Sequence, residues 1–175
     1  MAQNYKNKSL SEILDLKKLE AVNKPIETAN GLPNECYINE DYLAYEKEKV
    51  FCDKWTVIGV ASSIPNPGDV KPYNLLGIPL ILIRDKKMKI RVFHNVCSHR
   101  GFKLLDKQCT LKNVLRCPYH SWSYDFNGNL VATPHIGGLN NHQSEKFDKN
   151  KSHLKEVKSK VWMDIIFVNM NSNEI

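Results

Sequence analysis

Hydrophobic and polar residues alternate in two different ways along this chain, and the pattern changes near residue 55. Before that point apolar residues recur three or four positions apart, which is typical of short amphipathic helices. Ser9-Leu10-Ser11-Glu12 has the form of a capping box and predicts a helix that begins there. Asn39 is a suitable cap for a second helix that runs to about Lys54. The segment 25–33, which contains prolines and a glycine, separates the two and indicates an N-terminal extension.

From Trp55 onward the apolar residues fall in short runs with strand-like spacing. Turn sequences such as Pro65-Asn66-Pro67-Gly68-Asp69 separate these runs. Short strands joined by local turns predict an antiparallel, mainly β domain. The predicted strands in this half are 55–60, 70–75, 80–84 and 89–93.

The later strands flank two short motifs that contain cysteine and histidine. A brief strand, 114–116, leads to the second motif, and the strands 123–126 and 129–131 follow it. Asn127-Gly128 between them predicts a hairpin with a type I′ turn, which needs positive φ at both central residues. Closing strands are predicted at 161–163 and 165–168. Each motif therefore lies at the mouth of a hairpin.

The two motifs are Cys97-Ser98-His99-Arg100-Gly101 and Cys117-Pro118-Tyr119-His120-Ser121-Trp122, with 17 residues between His99 and Cys117. Two thiolates and two imidazoles form a possible four-ligand metal set. Structural zinc accepts such a set, but its ligand pairs usually lie two to four residues apart and pair like with like. Here each motif supplies one Cys and one His. That pattern suits two adjacent irons, one with thiolates and one with imidazoles, and favours a [2Fe-2S] cluster over a structural zinc module.

Both motifs resemble those of the Rieske iron-sulfur family, in the boxes Cys97-x-His99-Arg100-Gly101 and Cys117-Pro118-Tyr119-His120-x-Trp122. The resemblance implies an antiparallel Rieske β fold with two cluster-binding loops on hairpins. It also implies that Cys97 and Cys117 hold the inner iron, and that His99 and His120 hold the outer iron.

The same resemblance indicates a low reduction potential. In the respiratory branch of the family, each loop carries a further Cys, and these form a disulfide; here the positions hold Phe102 and Tyr119. That branch also has a Ser hydroxyl bonded to a cluster sulfide, where this chain has Trp122. Because hydrogen bonds to the sulfurs raise the potential, we expect about −150 mV rather than +300 mV.

A wider resemblance, over about 27–169, is to the N-terminal half of the large subunit of Rieske ring-hydroxylating oxygenases, a family that includes choline and betaine monooxygenase-like members. It is carried by the lead-in 27–33, by Phe93-His94-Asn95-Val96 and by Phe167-Val168-Asn169. Family members continue into a catalytic domain with a mononuclear iron. We expect that domain to be missing here, so that the chain turns over no substrate alone.

The resemblance implies an electron-transfer role. A reductase or ferredoxin would supply single electrons, and a non-haem iron site on a separate domain or chain would receive them, with His120 on the exit path. Family oxygenases are commonly trimers, which implies a homotrimer if this chain assembles with a catalytic part. A free-standing Rieske ferredoxin is the alternative. The predicted domain bounds are 1–38 for the extension, 39–170 for the Rieske domain and 171–175 for the tail.

Composition narrows the partners. The formal net charge is +6, and the lysines between Lys146 and Lys160 indicate either a solvated loop that leads into a strand or a docking face for an acidic donor. These lysines lack interleaved aromatics, which argues against a nucleic-acid partner.

No apolar run is long enough to span a membrane, and no secretion signal is recognisable. Cys36, Cys52 and Cys109 are expected to be reduced thiols in a cytoplasmic protein.

The remaining histidines are predicted to play no part in metal binding. His94 is expected to close a strand, and His135, His142 and His153 to be exposed to solvent. Gly101 is expected to allow positive φ in a tight loop.

Overall fold

The computed structural model describes residues 8–142 and 144–171, and these form two compact units that divide between Trp55 and Thr56. None of the helices in the described part of the chain is long and apolar enough to cross a membrane. This division into compact units does not test the predicted domain bounds at residues 38 and 170, which remain a proposal.

The first unit is built from short helices: α1 Leu10–Ile13, α2 Leu16–Glu20, α3 Glu35–Ile38 and α4 Glu40–Glu46, which continues as a π-helix over Lys47–Phe51. The predicted capping box forms, because the amide of Ser9 donates to the Glu12 carboxylate at 2.7 Å. The Asn39 side chain accepts from the amides of Asp41 and Tyr42 at 2.8 and 3.1 Å, which confirms the second predicted cap.

The described residues of the second unit contain ten strands. They are β1 Thr56–Val60, β2 Asp69–Leu75, β3 Ile78–Arg84, β4 Ile90–His94, β5 Cys109–Thr110, β6 Leu115–Arg116, β7 Ser123–Tyr124, β8 Leu130–Ala132, β9 Glu156–Trp162 and β10 Ile165–Asn169. Seven form one sheet in the order β1-β10-β9-β4-β3-β2-β5, and β6-β7-β8 form a second. The paired strands run antiparallel, which confirms the mainly β fold.

The larger sheet is buried on both faces at strand β3. Successive side chains on a strand point to opposite faces, so Ile81 and Ile83 enter one core while Leu80 and Leu82 enter another. All four are almost completely buried. The core that holds Ile81 and Ile83 also contains Cys97 and Cys117, so the two predicted thiolate ligands lie in that core.

The hairpin after the second motif forms, but its predicted type I′ turn is wrong. Gly128 has positive φ at 85°, whereas Asn127 does not. The Gly128 amide donates to the Asp125 carbonyl, and the Asp125 amide donates to the Asn129 carbonyl, which is the pattern of a three-residue loop with a bulge. The Asp125 carboxylate holds this form because it accepts from the amides of Asn127 and Asn129.

Gly128 has a second reason to be glycine. A Cβ atom at this position would lie 2.5 Å from Cε1 of Phe93, which belongs to the same core as the predicted thiolate ligands. Two-residue turns with positive φ at both positions occur elsewhere, at Leu76-Gly77 and at Met163-Asp164.

The lysine run is more ordered than predicted. Strand β9 begins at Glu156, not at Val161, and pairs with β4 as well as β10. Val157 is buried, whereas Lys158 and Lys160 are exposed. The two lysines therefore point to the opposite face of strand β9 from Val157, which is the solvent-exposed face.

Candidate metal centre

The two Cys/His motifs fold into the same loop twice. The amide of Cys97 donates to the Phe102 carbonyl and that of Cys117 to the Trp122 carbonyl, both at 2.8 Å. In each loop the residue four positions after the cysteine donates back to the cysteine carbonyl, at 2.9 Å from Gly101 and 3.0 Å from Ser121.

These two donating residues also share an unusual backbone conformation. Gly101 has φ of 68°, as predicted, and Ser121 has φ of 59°. Glycine adopts this region without strain, whereas a side chain such as serine makes it unfavourable. The backbone geometry of the loop therefore requires positive φ, and Ser121 meets that requirement at a cost in stability.

The four predicted ligands come together at the ends of these loops. Cys97 and Cys117 are free thiols, each 2% exposed, and both belong to the same buried cluster. The imidazoles of His99 and His120 meet edge to face with their centroids 4.8 Å apart. Burial raises the pKa of the Cys97 thiol, and burial, with His120 and Arg100 nearby, lowers the pKa of His99.

One atom of this group has unmet bonding capacity. Within residues 8–142 and 144–171, Nδ1 of His120 is buried and has no hydrogen-bond partner. A buried polar atom of this kind is uncommon in proteins, and metal coordination is one of the ways in which it is satisfied. The described residues contain no set of three or more His, Cys, Asp or Glu side chains arranged around a single ion. A two-iron cluster requires only two ligands on each iron, so the donor set fits it.

Aromatic rings surround the imidazoles. Trp122 stacks on His99 with centroids 4.5 Å apart and planes 9° apart, and Tyr119 lies over His120 at 3.7 Å. The two loops also touch through Phe102 and Tyr119, whose centroids are 5.4 Å apart. An aromatic contact thus occupies the positions at which the respiratory branch has its disulfide. Such a contact contributes about 0.5–1.5 kcal/mol to stability.

A cleft of about 540 Å³ opens beside both imidazoles, and its lining includes His99, Arg100, Tyr119, His120 and His135. The thiols are buried on the core side, whereas the imidazoles face this cleft. A partner molecule would therefore approach the centre from its imidazole side.

Two residues to which the sequence analysis assigned no role in the site support the first loop. Asn95, 1% exposed, accepts from the amides of Leu104 and Leu105 and donates to the Leu105 carbonyl, so its side chain closes the loop across its base. Tyr124 lies completely buried with its hydroxyl 3.2 Å from Sγ of Cys97. A tyrosine hydroxyl in a core needs a polar partner, and only the tertiary structure shows that one of its partners is a predicted ligand.

The other histidines are mostly as predicted. His94 ends strand β4, and burial lowers its pKa. His135 and His142 are exposed, and each accepts a backbone amide at Nδ1, so they shape a turn. The prediction for His153 is wrong, because this residue is half-buried and its Nδ1 accepts from the Leu130 amide at 2.9 Å.

The fold and the paired loops define an iron-sulfur protein of the Rieske class. The sequence profile of the Rieske [2Fe-2S] domain matches residues 54–143, just over half of the chain. The chain therefore belongs to the Rieske [2Fe-2S] domain family, and its cofactor is a [2Fe-2S] cluster.

Within that family, the chain is similar to oxygenase subunits. It is 32% identical over 142 residues to the carnitine monooxygenase oxygenase subunit of Escherichia coli K12, which covers 81% of this chain and 37% of that protein. It is 31% identical over 152 residues to the benzene 1,2-dioxygenase subunit alpha of Pseudomonas putida, covering 85% of this chain and 32% of that protein.

Solved structures give the same picture. The quaternary ammonium Rieske monooxygenase CntA in complex with L-carnitine superposes with a TM-score of 0.73 at 31% identity, over 82% of this chain and 39% of that one. A naphthalene 1,2-dioxygenase mutant gives 0.69 at 26% identity, over 79% and 31%. The chain thus spans between about a third and two fifths of the length of these relatives.

Proposed function

We propose that this chain is the electron-transfer part of a Rieske-type oxygenase. Cys97 and Cys117 would hold the inner iron of the cluster, and His99 and His120 the outer iron. The observation that carries the proposal is Nδ1 of His120, which is buried and has no hydrogen-bond partner among the described residues. It lies in a group of two free thiols and two imidazoles. The bound cluster supplies a carrier for one electron at a time.

The protein groups around this site are suited to such a carrier. The two buried thiols keep the sulfur side away from water, and the aromatic rings of Tyr119 and Trp122 hold the imidazoles in fixed orientations. His99 and His120 line the cleft, where an imidazole is able to hydrogen-bond a partner and to gain a proton. His120 is our candidate for the path by which electrons leave.

A reductase or ferredoxin would supply the electrons, and a mononuclear non-haem iron site on a separate domain or chain would receive them. What supports this over a free-standing Rieske ferredoxin is that the curated relatives are oxygenase subunits, which extend well beyond the region that matches. Assembly as a homotrimer with a catalytic part belongs to the same proposal.

The proposal is tested by anaerobic purification, iron and labile-sulfide analysis, and EPR of the dithionite-reduced protein with a potential titration. We expect two irons and two sulfides per chain, a Rieske-type signal, and a potential at the low end of the family range, about −150 mV. Cys117→Ala should abolish the signal. Cys109→Ser is the matched control, because Cys109 is an exposed thiol in β5, and it should leave the signal unchanged.

A colourless protein that contains zinc without sulfide would refute the iron-sulfur assignment in favour of a structural zinc module. A Rieske signal that survives Cys117→Ala would refute the ligand assignment alone.

A further inference from the structure

The residue between the first two predicted ligands lies in a closed hydrogen-bond network. Ser98 Oγ is 2.8 Å from the Tyr124 hydroxyl oxygen and donates to the Ser152 carbonyl at 2.5 Å. The Ser98 amide donates to the same tyrosine oxygen at 3.1 Å. That oxygen is also 3.2 Å from Sγ of Cys97. Three groups thus meet around one tyrosine hydroxyl: the Ser98 hydroxyl, the Ser98 amide and the Cys97 sulfur.

The number of available protons determines the direction of these bonds. A serine hydroxyl has one proton, and a carbonyl is only an acceptor, so the proton of Ser98 is committed to Ser152. Toward Tyr124, Ser98 Oγ is then an acceptor. The tyrosine hydroxyl also has one proton, and it faces two acceptors: Ser98 Oγ and, once the cysteine is a thiolate ligand, Cys97 Sγ. The two acceptors compete for it.

This competition bears on the redox properties of the proposed centre. A hydrogen bond donated to a ligand sulfur stabilises the reduced, more negative form and so raises the reduction potential. We propose, on the basis of the function proposed above, that Ser98 is a positioning residue that draws the Tyr124 proton away from Cys97 and thereby holds the potential down.

The geometry allows Ser98 to be changed without moving the tyrosine. The Tyr124 ring is completely buried in the core, and its oxygen is still held by the backbone amide of Ser98, which every replacement except proline retains. Ser98 itself is exposed, so water is able to take over the Ser152 carbonyl when the hydroxyl is removed. The expected effect of the substitution is therefore confined to the tyrosine proton.

The test is a potential titration, followed by EPR, of four variants with their clusters intact by iron and sulfide content. Ser98→Ala should raise the equilibrium constant for reduction about threefold, as one neutral hydrogen bond shifts from oxygen to sulfur. That is ~28 mV at about 59 mV per tenfold change for one electron. Tyr124→Phe should lower the constant. Ser98→Thr keeps the hydroxyl and should match the wild type.

The double variant is the decisive case. In a Tyr124→Phe background there is no proton to compete for, so adding Ser98→Ala should cause no further shift. A Ser98→Ala shift that is absent, opposite in sign, or equally large without the tyrosine hydroxyl would overturn the proposal.

If Tyr124→Phe fails to retain its cluster, resonance Raman spectra of the wild type and Ser98→Ala in H₂O and D₂O give a second measurement. The shift of the iron-sulfur stretching bands on exchange into D₂O should be larger in Ser98→Ala than in the wild type. An unchanged isotope shift would refute the proposal. Both readouts need a Rieske signal in the wild type. Its absence would refute the proposed function and this inference together, whereas its presence with the results named above would refute this inference alone.

Discussion

Asn95 closes the base of the first Cys/His loop, and replacing it should loosen that loop. The side chain is 1% exposed and makes three hydrogen bonds to the backbone of Leu104 and Leu105, with lengths of 3.2, 3.0 and 2.7 Å. The backbone amide of Asn95 also donates to the Pro79 carbonyl in strand β3. Strand β3 therefore anchors this clamp, which consists of the Asn95 side chain and its hydrogen bonds to Leu104 and Leu105.

The cost of Asn95→Ala follows from the groups that lose a partner. Two backbone amides and one carbonyl are left without it, and each unsatisfied buried group costs about 1–3 kcal/mol. Leu105 is only half-buried, so water would satisfy part of its backbone, and the lower end of this range applies. We therefore expect a loss of about 3 kcal/mol in the free energy of unfolding.

Anaerobic urea titrations, followed by both far-UV circular dichroism and the visible absorbance of the cluster, measure this effect. With a slope of about 2 kcal/mol per molar urea, the midpoint should fall by about 1.5 M. Cluster absorbance should be lost before secondary structure, because the loop opens locally first. Asn113→Ala, at an exposed position before β6, is the control and should change stability by less than about 0.5 kcal/mol. Equal midpoints for the two variants would refute the clamp.

Three further predictions concern the backbone and pH. Gly128→Ala should lower the free energy of unfolding by about 2–5 kcal/mol, because the new Cβ atom adds a clash with the Phe93 ring to the backbone strain. Gly101→Ala should lower it by only the ~1–2 kcal/mol of strain, because its φ is similar but no atom lies within 4 Å of the new Cβ atom. Equal losses in urea titrations would refute the packing argument. Ser121→Gly should stabilise by about 1 kcal/mol by relieving its positive φ; a lower midpoint would contradict this. Hydrogen bonds, first from the hydroxyl of Thr110 and then from the backbone of Asn66, lower the pKa of Asp69 from 3.8. The Asp69 carboxylate therefore stabilises the fold above pH 3.8, and this contribution disappears as the pH falls through the lowered pKa. The stability difference between wild type and Asp69→Asn should accordingly shrink on acidification, and a constant difference would rule this out.

Turn geometry shows where local sequence patterns are insufficient. Asn127-Gly128 is a strong hairpin sequence, and the hairpin forms, but the Asp125 carboxylate stabilises a three-residue loop instead of the predicted two-residue turn. Met163-Asp164 carries no such sequence and yet has positive φ at both positions. There the Asp164 carboxylate accepts from the amide and hydroxyl of Ser62, a contact across 102 residues.

The sequence by itself determined the alternation of the strands, the helix caps at Ser9 and Asn39, and the chemistry and spacing of the four predicted ligands. These depend on neighbouring residues, whose relative positions the periodicity of helix and strand sets in advance. The tertiary structure alone decided that the two loops meet, because strand register rather than local pattern brings them together.

Tertiary structure also decided the surroundings of the proposed centre. The contact of Tyr124 with Cys97 spans 27 residues, and that of Ser98 with Ser152 spans 54. No periodicity relates residues so far apart, and a hydrogen bond forms only when packing has fixed both partners to within a few tenths of an ångström. The sequence therefore predicts which residues are the ligands, whereas the hydrogen bonds that would tune them arise only in the folded chain.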